Sequence, residues 1–355
     1  MFRRKESASG AEWDRTAAIR GSGHDRTVQA SRMRTLTVRV AVLTAVLCVG
    51  ATAAWAQADI QTVEFFSESV GRTTKYNIVV PRSYASSDRR YPVLYLLHGL
   101  SQNYQAWGRQ GVSFYAPLFD MIIVMPDAGN SWYVNWAESE SGQKNDWEDH
   151  IVRDVIGHVD ATYRTIAERA GRAINGLSMG GYGGLVLGLR HPDLFVSIGS
   201  HSGALEYASG IRERIQSGAP QRARQRSPAQ ETQRRRPNPE IGINGFSSQV
   251  DRTPRGQPFV TVADAERYDP FTLIHDVPPD RLPHIYIDCG TEDGLIDAAK
   301  AFIRVLLDHD IPFDFMQMPG GHNPGYWTQA IGHSMSIQYE VMQRALGRRP
   351  FAVRP

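Results

Sequence analysis

Apolar residues in the middle of the chain fall into short, nearly unbroken runs. Residues 91–97 read Tyr-Pro-Val-Leu-Tyr-Leu-Leu and residues 121–125 read Met-Ile-Ile-Val-Met. Runs without polar alternation predict strands covered on both faces, as a parallel sheet between helical layers requires. Two earlier stretches, 62–66 and 73–80, are expected to pair antiparallel at the start of the sheet. Further strands are expected at 172–175, 194–200, 284–289 and 312–318. Helical periodicity occupies 146–163, 180–190, 297–309 and 328–346. Strands alternating with helices of this length predict a doubly wound α/β fold, with neither an internal repeat nor a second domain.

One stretch breaks the rhythm. Residues 211–236 carry 8 arginines against 2 glutamates, set among Gln, Pro, Ser and Ala with almost nothing apolar. Such a composition cannot bury enough surface to order itself, so a flexible surface insertion is expected there. A mobile lid and an anion-binding arm are the alternatives. No aromatic residues interleave with the arginines, so no nucleic-acid partner is expected.

The N-terminal pattern differs again. From Met33 a short basic stretch precedes the apolar run 40–54, and Ala54-Trp55-Ala56 forms a small-residue exit. That is the layout of a secretory signal peptide with translation starting at Met33 and cleavage after Ala56, the alternative being a retained anchor. The run is short for a membrane span, so no stable span is expected after cleavage. An exported chain of residues 57–355, one α/β domain, is the expected product. Residues 1–56 hold 9 of the 39 Lys and Arg and 4 of the 37 Asp and Glu, so 30 basic and 33 acidic residues remain, a net charge of −3. The apparent basicity of the whole chain belongs to its leader. Only Cys289 remains beyond residue 56, so no intrachain disulfide can form there, and a buried core role is expected for it.

The strand at 172–175 runs into Gly176-Leu177-Ser178-Met179-Gly180, a G-x-S-x-G pentapeptide, and a helix leaves it. A free hydroxyl is a poor nucleophile at neutral pH and needs both exposure and a base. A sharp strand-to-helix turn gives the exposure, and flanking glycines permit close backbone approach. Ser178 is therefore the candidate nucleophile. The base is expected on a glycine-rich loop after the last strand, at His322. The acid is expected where residues 284–289 end, at Asp293, with Asp288, Glu292 and Asp297 as alternatives. Two backbone N–H groups should receive the developing oxyanion: Met179, next after the nucleophile, and Leu100, behind Gly99.

Of the 11 histidines, most are expected to be structural, His98 by orienting a loop and His201 and His284 at strand ends. His150, Asp154 and His158 share a helix face, but the spacing is not that of a metal motif, so a solvated polar face and no metal are expected. The serine chemistry needs no cofactor. Trp132, Tyr133, Tyr326 and Trp327 lie on loops at one rim of the sheet and are the candidate pocket walls. Trp107 and Trp136 could serve as wall or core, and Tyr182 is expected to pack inward.

Five segments in order, 97–100, 130–133, 176–183, 287–293 and 320–322, resemble the esterase-D-like family of α/β-hydrolases over roughly residues 62–346. That family includes S-formylglutathione hydrolases, tributyrin and feruloyl esterases, and mycolyltransferases. The resemblance implies an eight-stranded, mostly parallel sheet, a Ser178–His322–Asp293 triad and oxyanion donors at Leu100 and Met179. It further implies a serine carboxylesterase acting on a small-molecule acyl or aromatic ester through an acyl-enzyme. An acyltransferase passing the acyl group to a sugar hydroxyl would use the same residues, and a non-catalytic binding protein on this scaffold is the remaining alternative.

Overall fold

A computed structural model describes residues 57–218 and 256–348. The expected signal segment 1–56 and residues 219–236 of the arginine-rich stretch lie outside the described residues. Eight strands form one sheet: β1 (Gln61–Ser67), β2 (Arg72–Val79), β3 (Val93–Leu97), β4 (Ile122–Pro126), β5 (Arg172–Gly176), β6 (Ser197–His201), β7 (His284–Gly290) and β8 (Phe313–Met318). Their spatial order is β1-β2-β4-β3-β5-β6-β7-β8. β2 runs antiparallel to both its neighbours, and every other pairing is parallel. The expected eight-stranded, mostly parallel sheet is the one found.

The side-chain pattern explains the layering. Along β3, Val93, Tyr95 and Leu97 enter one core while Leu94 and Leu96 enter the other, and all five are buried. β4 divides likewise, Ile122 and Val124 against Ile123 and Met125. Apolar residues at every position are thus what a strand sandwiched between two helical layers needs. Of the edge strands, β1 mixes buried and exposed positions, and β8 alternates between half-buried and exposed ones.

Among the described residues, helices of more than one turn are α1 (Ile156–Thr162), α2 (Met179–Arg190), α3 (Tyr207–Gln216), α4 (Val262–Glu266), α5 (Pro270–Asp276), α6 (Ile296–Asp308) and α7 (Pro324–Ala345). α2 and α6 line the first core with residues such as Leu185, Val186, Phe302 and Leu306. α7 covers the opposite face through Ala330, Ile331, Met335 and Met342. α1 is entered through a π-helical stretch, His150–Val155. None of the described helices is long and apolar enough to cross a membrane.

Two expectations need correction. α7 begins four residues before the expected 328, because Asn323 accepts the Tyr326 N–H as its cap and Pro324 fills the first helical position. The arginine-rich stretch is helical at its start, since α3 extends to Gln216. Tertiary contacts hold that helix: Tyr207 stacks on Trp132 with ring centroids 3.4 Å apart, and Arg212 reaches buried Asp269 at 3.2 Å.

Candidate active site

Ser178 stands on the turn between β5 and α2 with φ 55° and ψ −115°. This backbone region costs a non-glycine residue roughly 1–3 kcal/mol, so the surrounding structure must impose it. The neighbouring glycines make the turn feasible. A Cβ at Gly176 would sit 2.3 Å from the Gly180 carbonyl oxygen, a distance no real contact tolerates. From behind, the Ser178 N–H donates to the His201 carbonyl at 2.9 Å, and the Ser178 carbonyl accepts from Ala204 N–H at 3.1 Å.

The loop after β8 brings His322 over this hydroxyl, with Nε2 2.9 Å from Ser178 Oγ. The other ring nitrogen, Nδ1, lies 2.9 Å and 3.2 Å from the two carboxylate oxygens of Asp293. Asp293 follows β7 and has no exposed side-chain surface, whereas the His322 side chain is 35% exposed. Burial pushes the Asp293 carboxyl up. Hydrogen bonds from His322 and the Leu295 N–H outweigh it and hold the group below the usual carboxylate range. A carboxylate kept ionised against Nδ1 places the imidazole proton there and leaves Nε2 free to accept one. The three alternative acids do other work: Asp288 lies within β7, Glu292 accepts the Gly320 N–H, and Asp297 sits in the first turn of α6.

The loop after β3 is tightly held around Leu100. His98 Nε2 accepts the Ala128 N–H at 3.0 Å, so its proton lies on Nδ1 and is donated to the Gly99 carbonyl at 2.9 Å. Gly99 N–H donates to Gln102 Oε1 and Ser101 N–H to Asn130 Oδ1, at 2.9 and 2.7 Å. The amides on either side of Leu100 are therefore committed, and His98 orients the loop as expected. Met179 opens α2, where an N–H has no acceptor one turn back. Gln102 and Asn130 were not legible in the sequence; Asn130 lies 29 residues from its partner, and no local spacing signals that bond.

The expected pocket walls separate into two kinds. Tyr133 is fully buried and its hydroxyl donates to the His98 carbonyl at 2.8 Å. Tyr326 is 3% exposed and its hydroxyl donates to Asp288. Both support the site from behind instead of facing a substrate. Trp327 meets the His322 ring edge-on, centroids 5.0 Å apart, and is also nearly buried. Trp132 alone of the four is half-exposed, held by its stack on Tyr207. Trp107 proves to be core, its indole N–H donating to the Leu97 carbonyl, and Tyr182 packs inward as expected. Cys289 is buried, and burial followed by the nearby Asp293 charge pushes its thiol up to about 12, so it is no thiolate at neutral pH.

His150, Asp154 and His158 are not a solvated face. His150 is fully buried between Ser67 Oγ and the Asp127 carbonyl, Asp154 accepts from Ser67 and Ser69, and His158 meets the Tyr76 hydroxyl. His150 and Asp154 share Ser67 at the end of β1 while His158 turns to Tyr76 on β2, and the three form no metal-binding group among the described residues.

Known proteins resemble this chain in sequence family and in fold. The family model described as "Putative esterase" matches residues 67–335. Esterase MT1326 of Mycobacterium tuberculosis is 37% identical over 142 residues, a match spanning 39% of this chain and 31% of that protein's own length. The Endo-1,4-beta-xylanase/feruloyl esterase of Xylanibacter ruminicola is 30% identical over 166 residues, 44% of this chain and 23% of that protein. The S-formylglutathione hydrolase structure from Staphylococcus aureus superposes with a TM-score of 0.58 at 22% identity, covering 79% of this chain and 98% of that one. That likeness establishes the α/β-hydrolase fold. With the family model spanning most of its length, the chain belongs to the Putative esterase family.

Proposed function

We propose that this protein is a serine carboxylesterase that hydrolyses small acyl or aromatic esters through an acyl-enzyme, with Ser178 as nucleophile, His322 as base and Asp293 as orienting acid. The observation that carries this reading is the double engagement of His322: Nε2 is 2.9 Å from Ser178 Oγ while Nδ1 is 2.9 Å from Asp293. As Oγ attacks the ester carbonyl, Nε2 takes its proton, and ionised Asp293 stabilises the imidazolium without itself being protonated. The carbonyl oxygen gains negative charge, which the N–H groups of Leu100 and Met179 receive; one such donor is worth about 3–4 kcal/mol. His322 then protonates the departing alcohol. Water repeats the sequence on the acyl-enzyme, and the partial exposure of His322 gives that water a path to the base. No step calls for a metal or a cofactor.

Several relatives support the substrate class. One carries feruloyl esterase in its name and another is an Acetyl esterase from Caldicellulosiruptor saccharolyticus. We further propose that the protein acts outside the cytoplasm, on the strength of the leader pattern ending at Ala56. Replacing Ser178 with Ala should abolish hydrolysis of p-nitrophenyl acetate and butyrate while the protein still unfolds cooperatively. Unchanged turnover in that variant would remove the assignment.

A further inference from the structure

Behind the proposed triad lies a second histidine–carboxylate pair. His201 ends β6, and Asp288 sits beside it in the parallel register of β7. Both side chains are wholly buried, with Asp288 Oδ2 2.5 Å from His201 Nδ1. The contact is close but out of line for a full hydrogen bond. The carboxylate also accepts from the hydroxyls of Tyr286 and Tyr326, at 2.8 and 3.1 Å.

Across the ring, Nε2 lies 3.1 Å from Asn175 Nδ2 and 2.9 Å from Ser334 Oγ. Neighbours fix the Asn175 amide: its Oδ1 accepts the Gly176 N–H, and its Nδ2 donates to Gln338 Oε1. An NH2 group therefore faces Nε2, while the Ser334 hydroxyl donates to the Ile331 carbonyl. Nε2 must accept, so the imidazole proton sits on Nδ1, toward Asp288.

The contacts of this pair lead to both halves of the active site. The His201 carbonyl accepts the N–H of Ser178 itself at 2.9 Å, and Ser202 N–H donates to the Asp288 carbonyl at 2.8 Å. Tyr326, bonded to Asp288, lies in the first turn of α7, four residues beyond His322. One buried carboxylate thus binds the strand that backs the nucleophile and the helix that follows the base. Buried polar pairs gain little net stability over apolar packing of the same volume, but their bonds are directional. Nucleophile and base are 144 residues apart in the chain, and a misplacement of 1 Å can cost about a hundredfold in rate.

We infer that His201 and Asp288 are positioning residues that fix the separation of Ser178 from His322, with Tyr326 as the link to the base. This inference rests on the triad assignment and deepens it; neither residue touches substrate. The test compares kcat and KM for p-nitrophenyl acetate in His201→Leu, His201→Gln and Tyr326→Phe, alongside fluorophosphonate labelling of Ser178 and thermal unfolding. Tyr326→Phe and His201→Leu should lower kcat by about tenfold or more with KM within about twofold, because geometry and not binding is disturbed. His201→Gln, which keeps an amide donor and acceptor, should recover part of the loss. Labelling should still go to completion in every variant, more slowly. Variants that unfold at lower temperature yet keep wild-type kcat would reduce the pair to a stabilising element and overturn the inference. Should His201→Leu not fold, Tyr326→Phe decides alone, since it removes one hydroxyl and keeps the ring. Wild-type protein that neither hydrolyses the ester nor labels at Ser178 would instead overturn the triad assignment, and the role of the pair with it.

Discussion

Gly180 faces the Leu97 carbonyl so closely that a methyl group on its α-carbon would stand 2.3 Å from the oxygen. The obstacle is backbone on both sides, with the His98 carbonyl 2.7 Å away, so no side chain can rotate aside. Gly180→Ala must push α2 away from the end of β3. Those two elements carry Ser178 and the amides of Met179 and Leu100, so the nucleophile and both proposed oxyanion donors would separate. Overpacking of this kind costs about 1–3 kcal/mol, and the expected result is a melting point a few degrees lower. Turnover of p-nitrophenyl acetate should fall by about a hundredfold, far more than the stability loss explains. Steady-state kinetics with differential scanning fluorimetry check both. Wild-type kcat in this variant would show that the elbow tolerates displacement.

The left-handed backbone of Ser178, at φ 55°, leads to a contrast between two inactive variants. Alanine at this position retains the strain and glycine relieves it. Relief is worth roughly 1–3 kcal/mol, offset by about 0.4–1 kcal/mol for the greater freedom of glycine in the unfolded chain. Ser178→Gly should therefore melt a few degrees above Ser178→Ala while both lack esterase activity. Equal melting points would mean that the turn is not strained.

How far the sequence disclosed the site depends on whether the deciding signal is local. The elbow is local: a strand pattern, two glycines and a helix pattern occupy residues 172–190, and the structure places Ser178 as that pattern requires. Asp293 and His322 could be located by their positions at strand ends, since loops at those ends converge. The roles of the aromatic rings could not be read. Tyr133 and Tyr326 differ from Trp132 only because a buried acceptor, the His98 carbonyl or Asp288, lies within reach of each hydroxyl. The His150–Asp154–His158 face failed for the same reason: its partners Ser67, Ser69 and Tyr76 lie more than eighty residues away. The start of α7 was legible in Asn323-Pro324, whose capping signal outweighs the glycines around it.

Trp132 stacks flat on Tyr207, interplanar angle 2°, and remains half-exposed near the loop that holds the Ser178 carbonyl. A rigid aromatic surface favours a planar substrate group over a methyl. Trp132→Ala should raise KM for methyl ferulate by about threefold to tenfold, in line with about 0.5–1.5 kcal/mol for an aromatic pair. KM for p-nitrophenyl acetate can serve as the internal comparison only through its acyl side, so phenyl-free ethyl acetate is the better control and should change little. Equal effects on both esters would place Trp132 outside the pocket.

His150 supplies a pH dependence of stability separate from catalysis. Burial lowers its imidazole from 6.5 to about 4, against the opposing influence of the Asp127 carbonyl and the Asp154 and Asp127 charges. Between those two values the unfolded chain binds the proton and the folded protein does not, so stability rises with pH across the interval. The contribution is complete above about pH 6.5 and is lost as pH falls toward 4, at most about 3 kcal/mol. His158, shifted down by partial burial, acts with the same sign. Asp154 is held below the usual carboxylate range by Ser67 and Ser69 in spite of its burial, so its own loss begins only at more acid pH. The melting temperature of the wild-type protein should therefore decline from pH 7 to pH 4. His150→Gln has no proton to gain in that interval. It should start lower at pH 7, because the buried amide fits the Ser67 and Asp127 partners less well, and then decline with a visibly shallower slope. Thermal unfolding followed in steps of half a pH unit measures both slopes, and parallel curves for the two proteins would assign the acid sensitivity to other groups.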